Sequence, residues 1–273
     1  MNREGEFKKF FRLKVDFWTI IRCFIAILFF ELYMIQISNL IYCDARLEQL
    51  EITNRLLPNP YRETPYMIIK NFFTPELCRQ LASLVKKDED AETAKVKQES
   101  ISGIIEADVV TKYRKTNIYT LDDFYSEYYE KQFLKHKPMI EEYFGAVMTL
   151  STEIQVLEYK EGYFYVKHAD DSSELVDEDG QTVAFKCVAP ERKLTTVLFG
   201  TSHRDSSNDQ DEGFCGGELL FNYLYDQYGE IVKIKPQAGD MVVFPSNPYF
   251  SHEVLPVEKG YRLTLVQWHD AIW

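Results

Sequence analysis

Paired cysteines are absent from this 273-residue sequence, in which five cysteines are widely scattered and no two form a Cys-x-x-Cys pair. A disulfide framework or a cysteine-based zinc site would need closer, paired spacing, so we interpret the cysteines as small buried hydrophobic residues in a reducing compartment. Basic residues are also scarce: 31 Lys and Arg stand against 43 Asp and Glu, which gives a net charge of −12. A phosphate backbone is bound by clustered Lys and Arg, so this acidic balance argues against a nucleic-acid partner.

Apolar residues make up 45% of the chain and aromatic residues 15%, which supplies a globular core and excludes disorder. One helix is predicted to begin at Pro75 with Thr74 as its N-cap, and a second to run from Asp122 to about Tyr143 and stop at Gly145. Beyond residue 152 the hydrophobic period changes to two, which indicates strands. This predicts a mainly β fold with flanking helices, a sandwich or a double-stranded β-helix (jelly roll). Strands are predicted at 66–70, 153–159, 163–168, 183–188, 194–199, 218–223, 231–235, 241–244 and 262–268.

The first sixty residues differ from the rest, so we assign 1–60 to an N-terminal apolar helix with its linker and 61–273 to the main domain, with a core at about 153–273. The apolar stretch 17–42 follows several basic residues and contains the charged Arg22 and Glu31. Two charges are costly inside a helix that spans a lipid bilayer. The stretch is either a membrane anchor or surface helix, or a helix packed on the domain; a true start at Met34 is a third alternative.

Three residues form a candidate metal site. Residues two apart on a strand point to the same side, so the side chains of His168 and Asp170 converge. His252, far downstream and just after a Pro-Ser-Asn-Pro turn, is a candidate third ligand. Two histidines and one carboxylate make the facial triad of non-heme Fe(II) oxygenases, which leaves coordination positions open for a cosubstrate and oxygen. The sequence therefore predicts an Fe(II) site at these three residues.

Arg262 follows His252 by ten residues, and the strand on which it lies has two interpretations. On an edge strand with one face in solvent, Leu263 points to the core and Arg262 to water. In a jelly roll with a ligand cavity on that face, Arg262 is a fixed bidentate donor for a carboxylate. The spacing alone favours neither interpretation.

Several segments in this order resemble the Fe(II)- and 2-oxoglutarate-dependent dioxygenases, specifically their prolyl 4-hydroxylase-like branch. The resemblance covers residues 66–273 and leaves the N-terminal sixty outside. The collagen-type members carry Lys where this chain has Arg262, a departure that argues against collagen-type substrate specificity and leaves the chemistry intact. The matching blocks are Tyr159-x-x-Gly162-x-x-Tyr165-x-x-His168-x-Asp170, Gly216-Gly217-Glu218-Leu219, Pro236-x-x-Gly239-Asp240-Met241 with Phe244-Pro245-Ser246, and His252-x-Val254-x-Pro256-Val257-x-x-Gly260-x-Arg262.

The resemblance implies a role for each matching position. Fe(II) would be held by the three predicted ligands, 2-oxoglutarate would be the cosubstrate, and ascorbate would serve as reductant. The implied reaction is hydroxylation of an unactivated C–H bond, for example in a prolyl or another amino-acid residue of a protein, peptide or small molecule. The cosubstrate residues would be Arg262, paired with the distal carboxylate, and Tyr159, with a further hydrogen bond from Thr196 or Thr264; Arg192 and Tyr165 are candidates for contact with substrate.

Two other classes of protein remain as alternatives at this point. A catalytically silent jelly-roll binding protein would show loss of a ligand or of the arginine, and all four residues are present. A cupin-like metalloenzyme without 2-oxoglutarate would not need Arg262. His203 lies in a polar segment and is expected in a solvated loop, and the acidic run 171–179 is expected to flank the cavity mouth, where it would attract a basic substrate or reject an acidic one.

The resemblance also bears on localisation. A domain facing outward across a bacterial membrane would be separated from cytosolic 2-oxoglutarate, so we expect the domain in the cytoplasm, with 17–42 as one helix on the membrane surface or on the domain. Fractionation of the full chain, followed by protease accessibility in sealed spheroplasts or microsomes, tests this expectation. Carbonate-resistant membrane association with the domain on the outer or luminal side would contradict it.

Overall fold

The computed structural model describes residues 36–37, 65–87, 92–93, 98–100, 103–105, 113–176, 182–205, 213–226 and 228–273. Its helices are α1 (Pro75–Val85) and α2 (Asp123–Phe144), and a 3-10 turn spans Pro248–Phe250. Its strands are β1 (Gln36–Ile37), β2 (Met67–Ile69), β3 (Glu92–Thr93), β4 (Gln98–Ser100), β5 (Gly103–Ile105), β6 (Arg114–Lys115), β7 (Asn117–Thr120), β8 (Val147–Ser151), β9 (Gln155–Tyr159), β10 (Phe164–His168), β11 (Ser172–Val176), β12 (Thr182–Cys187), β13 (Leu194–Phe199), β14 (Phe214–Gly216), β15 (Leu219–Tyr225), β16 (Ile231–Ile234), β17 (Met241–Pro245), β18 (His252–Val254), β19 (Val257–Gly260) and β20 (Arg262–Ile272).

Two antiparallel sheets carry most of these strands. The major sheet has eight strands in the order β2-β17-β13-β20-β9-β7-β3, with β8 beside β20. The minor sheet has six, in the order β1-β15-β18-β10-β6, with β16 beside β15. The remaining pairs are β11-β12, β14-β19 and β4-β5. This is the mainly β, double-sheet jelly roll with flanking helices that the strand pattern predicts, and the prediction is confirmed.

The major sheet is buried on both of its faces. One core lies between this sheet and the two helices, and it contains Leu263 and Leu265 of β20. A second core lies between the two sheets, and it contains Val266 of the same strand. Arg262, which alternates with Leu263, is only 1% exposed, so the alternative that places it in water is wrong. Alternation on this strand separates two buried faces instead of separating core from solvent.

Local sequence determines the ends of both helices. The hydroxyl of Thr74 accepts a hydrogen bond from the backbone N–H of Leu77 at 3.2 Å, and Pro75 occupies the first helical position. The carboxylate of Asp122 accepts from the N–H of Phe124 at 2.9 Å. Helix α2 ends at Gly145, whose φ of 63° lies in the left-handed region. Both predicted helices are therefore confirmed, with the boundaries given above.

The structure adds strands that the sequence pattern did not indicate. Strand β7 borders the predicted strand β9, β8 borders the predicted strand β20, and β11 lies in the acidic run. The predicted helix over 17–42 does not continue through Gln36, because Gln36 and Ile37 pair with β15 at one edge of the minor sheet. The rest of 17–42 and the proposed boundary at residue 60 lie outside the described residues. Among the residues that are described, no helix is long and apolar enough to cross a membrane.

Candidate active site

The three predicted metal ligands converge at one end of the space between the sheets. His168 ends β10 and His252 begins β18, and the two residues are direct partners across this antiparallel ladder. Asp170 follows two residues after His168. Its Oδ1 lies 3.8 Å from Nε2 of His168 and its Oδ2 lies 3.9 Å from Nε2 of His252. One ligand atom from each residue lies within 4.8 Å of the others, an arrangement that fits a single metal ion.

Backbone carbonyls set the orientation of both imidazoles. Nδ1 of His168 lies 2.9 Å from the carbonyl oxygen of Val166, and Nδ1 of His252 lies 2.9 Å from that of Phe250. A carbonyl only accepts, so each Nδ1 carries the proton and each Nε2 presents a lone pair to the cluster. Burial, assisted by the neighbouring His252, lowers the pKa of His168 to about 3. The ring is neutral at physiological pH, as a metal ligand must be.

Two hydroxyl residues, Thr195 and Ser246, position the carboxylate of Asp170. Thr195 Oγ1 donates to Asp170 Oδ2 at 2.6 Å and lies 2.8 Å from Ser246 Oγ. The backbone N–H of Asp170 donates to the carbonyl of Ser246 at 3.1 Å. Burial alone would raise the pKa of Asp170, but the two imidazoles and Thr195 reverse this effect and lower it below its usual value. The carboxylate is therefore ionised and fixed in direction.

Arg262 lies between the sheets on β20, opposite Tyr159 of β9. Its Cζ lies 4.8 Å from the ring centroid of Tyr159, 5.2 Å from that of Phe199 and 5.9 Å from that of Phe214. Its Nη1 donates a long hydrogen bond of 3.4 Å to Thr264 Oγ1, while its buried Nε has no partner among the described residues. Burial lowers the pKa of Arg262 to about 10, so it stays charged at neutral pH.

This unsatisfied buried cation fits a carboxylate ligand. Leaving a buried donor unpaired is costly, and a charged donor more so, unless a ligand completes the site. Arg262 and Thr264 both point into the space between the sheets and Tyr159 borders it, as the resemblance implies. A cosubstrate carboxylate paired with Arg262 would compensate the buried charge. The donor set therefore fits 2-oxoglutarate as well as the cluster fits Fe(II).

Thr196 is the exception among the predicted cosubstrate residues. Its Oγ1 lies 2.9 Å from the hydroxyl of Tyr129 and 2.9 Å from Nε2 of His269, on the face of β13 that packs against the helices. The prediction that Thr196 contacts the cosubstrate is corrected accordingly. Its neighbour Thr195 faces the metal site instead, because adjacent strand residues point to opposite faces. Sequence reasoning missed Thr195 and Ser246; alternation along β13 predicts that Thr195 and Thr196 face opposite sides, but not which side holds the site.

The two substrate candidates both lie beside metal ligands. The ring of Tyr165 stacks on His168 with 3.6 Å between centroids. Arg192 donates from Nη1 to the backbone carbonyl of Asp170 at 3.1 Å. Their contact with a substrate stays a prediction.

His203 differs from its expected place in a solvated loop. It is only 7% exposed, its Nε2 lies 3.3 Å from Oε1 of Glu218, and its ring meets that of Phe214 edge-on. The backbone explains its burial, because its N–H donates to the carbonyl of Pro236 and it forms an isolated bridge with Phe214. Within the described part of the chain, His203 and the buried His269 both lie outside the metal cluster.

Comparison with known proteins agrees with this geometry. Residues 154–270 match the sequence family described as the 2OG-Fe(II) oxygenase superfamily. No curated protein matches the chain at a significant level. One similar solved structure is a prolyl hydroxylase in complex with a hypoxia-inducible-factor oxygen-degradation-domain peptide fragment, from Trichoplax adhaerens, with 19% identity, a TM-score of 0.50, and coverage of 82% of this chain and 92% of that one.

A second similar structure is the viral collagen prolyl hydroxylase of Paramecium Bursaria Chlorella virus-1 in its 2-oxoglutarate complex. It is 19% identical, with a TM-score of 0.51, and the match covers 78% of this chain and all of that one. At these identities the two structures show a shared fold. The family match spans the three predicted metal ligands and Arg262, so it agrees with the shared fold and with the geometry of the candidate site.

The two adjacent threonines of β13 provide a matched pair of variants. Thr195→Val removes the donor that holds Asp170 Oδ2, so we expect metal affinity to fall roughly 10- to 100-fold with the fold retained. Thr196→Val removes hydrogen bonds on the helix side, so we expect it to lower the free energy of unfolding by about 1–3 kcal/mol and to leave metal affinity unchanged. Anaerobic Mn(II) titration and urea denaturation measure the two quantities. Equal loss of metal affinity in both variants would contradict the assignment.

Proposed function

From the match of residues 154–270 to the 2OG-Fe(II) oxygenase superfamily, we propose that this chain is an Fe(II)- and 2-oxoglutarate-dependent dioxygenase that hydroxylates an unactivated C–H bond. The observation that carries the proposal is the occurrence in one interior of three convergent metal ligands and a buried arginine with an unpaired donor. A catalytically silent binding protein of the same fold has no need to keep both features, because each of them lowers the stability of the fold when its ligand is absent.

Each residue has a definite task in this reaction. Fe(II), held by His168, Asp170 and His252, would supply the oxidation of the C–H bond by O2, coupled to conversion of 2-oxoglutarate to succinate and CO2. Arg262 binds and orients the distal carboxylate of the cosubstrate, with Thr264 beside it. The rings of Phe199 and Phe214 line this pocket and exclude water, which strengthens the charge pairing inside it.

The substrate we propose is an amino-acid residue of a peptide or protein, with proline as the first candidate. Support comes from the prolyl 4-hydroxylase-like order of the motifs and from the peptide present in the Trichoplax adhaerens structure. The partly exposed face of β10 supports a peptide lying across it, since all five of its residues keep some exposure and both of its edges are paired with other strands. Ascorbate is the proposed reductant. A small-molecule substrate is the competing possibility.

Succinate release tests the proposal directly. The full-length protein is incubated with Fe(II), 2-oxoglutarate, ascorbate and, in turn, proline peptides, free amino acids or a cell extract. We expect succinate release to rise with at least one of these additions and to be lost in the His252→Ala variant, which lacks a metal ligand. No succinate under any condition, from protein that binds metal, would support the silent binding protein instead.

Arg262→Leu tests the cosubstrate pocket. The variant loses the bidentate partner of a buried carboxylate, and truncations of this kind cost about 2–5 kcal/mol. We therefore expect the concentration of 2-oxoglutarate needed for half-maximal succinate release to rise by about 30-fold or more. Arg262→Lys keeps the charge and is the matched control, with a smaller rise expected. An unchanged requirement in Arg262→Leu would show that Arg262 does not bind the cosubstrate.

A further inference from the structure

We propose that Arg114 and Arg192 together form a subsite beside the metal centre for a carboxylate group of the substrate. This inference rests on the proposed function and deepens it, because it names a chemical feature that the hydroxylated molecule carries near its reacting bond. Neither arginine holds the metal or the cosubstrate in the arrangement described above.

Arg114 reaches the site from the edge of the minor sheet. Strand β6 pairs with β10 so that Arg114 lies opposite Tyr165. The guanidinium carbon stands 4.5 Å from the centroid of the Tyr165 ring, and that ring stacks in turn on His168. The Nε of Arg114 is buried and has no hydrogen-bond partner among the described residues. One aromatic ring therefore separates a guanidinium with an unpaired Nε from a predicted metal ligand.

Arg192 approaches the predicted metal ligands from the segment just before β13. Its guanidinium carbon stands 4.0 Å from the ring of Trp268, and Nη1 donates to the backbone carbonyl of Asp170. Its Nε is likewise buried and without a partner in the described part of the chain. A carbonyl contact does not neutralise a guanidinium, so the charge of Arg192 remains uncompensated. Stacking on an aromatic face fixes the plane of a guanidinium and leaves its N–H edge free for a planar carboxylate.

The nearby described carboxylates are engaged elsewhere. Asp170 belongs to the metal cluster, and Asp171 accepts a hydrogen bond from Ser172 Oγ at 2.6 Å. Glu174 pairs with Lys167 at 2.5 Å. This ion pair offsets the negative charge of Glu174, near the start of the acidic run 171–179. We expected that run to reject an acidic substrate.

Fe(II) and 2-oxoglutarate would not supply the missing negative charge either. Their binding would bring two positive and two negative charges, which together with Arg262 and Asp170 would sum to zero. The positive charges of Arg114 and Arg192 then remain on the substrate side of the metal. Electrostatic complementarity accordingly favours a substrate with a negative group. A carboxylate matches the arginine fork, and it is supplied by an acidic side chain or by a free C-terminus.

Three small probes of nearly equal size separate these sources. N-acetylaspartate amide has a side-chain carboxylate, N-acetylasparagine has a terminal carboxylate, and N-acetylasparagine amide has neither. The full-length protein is loaded with Mn(II), which suits this ligand set, and saturated with 2-oxoglutarate. Paramagnetic broadening of the acetyl proton signal in NMR then reports binding near the metal, and broadening of the 2-oxoglutarate signals reports the cosubstrate. We expect at least one charged probe to be broadened and the neutral probe to show about tenfold weaker apparent affinity, as the loss of a charge-assisted contact predicts.

Variants identify the residues responsible. We expect Arg114→Gln and Arg192→Gln each to weaken binding of the charged probe, whereas Arg79→Gln on the exposed face of α1 leaves it unchanged. Thermal melting verifies that each variant is folded. If the signals of charged and neutral probes broaden equally in the unsubstituted protein, the subsite is overturned, whatever the variants show. If the 2-oxoglutarate signals broaden and no charged probe binds, the subsite alone is overturned. If the 2-oxoglutarate signals do not broaden, both the subsite and the proposed function are overturned.

Discussion

Burial of the major sheet on both faces is the constraint on which the site depends. Because helices cover one face and the minor sheet covers the other, every strand of its centre presents two buried surfaces with different tasks. On β20 this separates Arg262, which faces the minor sheet, from Leu263, which packs toward the helices. On β13 it separates Thr195, which holds the metal carboxylate, from Thr196, which joins sheet to helix. A shift of one residue in either strand would exchange these roles.

The second constraint is the register between β10 and β18. Direct pairing of His168 with His252 brings together two residues that lie far apart in the chain, and carbonyls next to each strand end fix their rings. The two histidines thus need no loop to bring them together, whereas Asp170 lies in the bend between β10 and β11. Arg262 is different, since its burial is not balanced by any ionic partner among the described residues. Its compensation must come from a ligand, so cosubstrate binding and stability of the folded domain are linked.

The sequence predicted the elements and residues whose signals are local. Thr74, Pro75 and Gly145 mark helix ends through their own side chains or conformations, and the long strands show in their hydrophobic period. The candidate metal ligands followed from residue type and spacing, whereas the predicted cosubstrate role of Arg262 came from the family resemblance, because spacing alone favoured neither interpretation of its strand. The face on which Thr196 points was not predictable without knowing that both faces are buried. The burial of His203 depends on its bridge to Phe214, a contact between segments that no local pattern records.

Overall charge and local charge act at different distances in this protein. A net charge of −12 governs long-range association, and on this ground a nucleic-acid partner is disfavoured. Inside the fold, over a few ångströms, three of the buried unpaired atoms in the described residues are guanidinium nitrogens: Nε of Arg262, and Nε of Arg114 and Arg192 beside the predicted metal ligands. Solvent and salt screen surface charges within about 10 Å, whereas pairs in a dry interior are screened far less. In the site, an anionic substrate would meet guanidinium groups, whose attraction is screened less than that of surface charges. The acidic composition therefore does not oppose an anionic substrate.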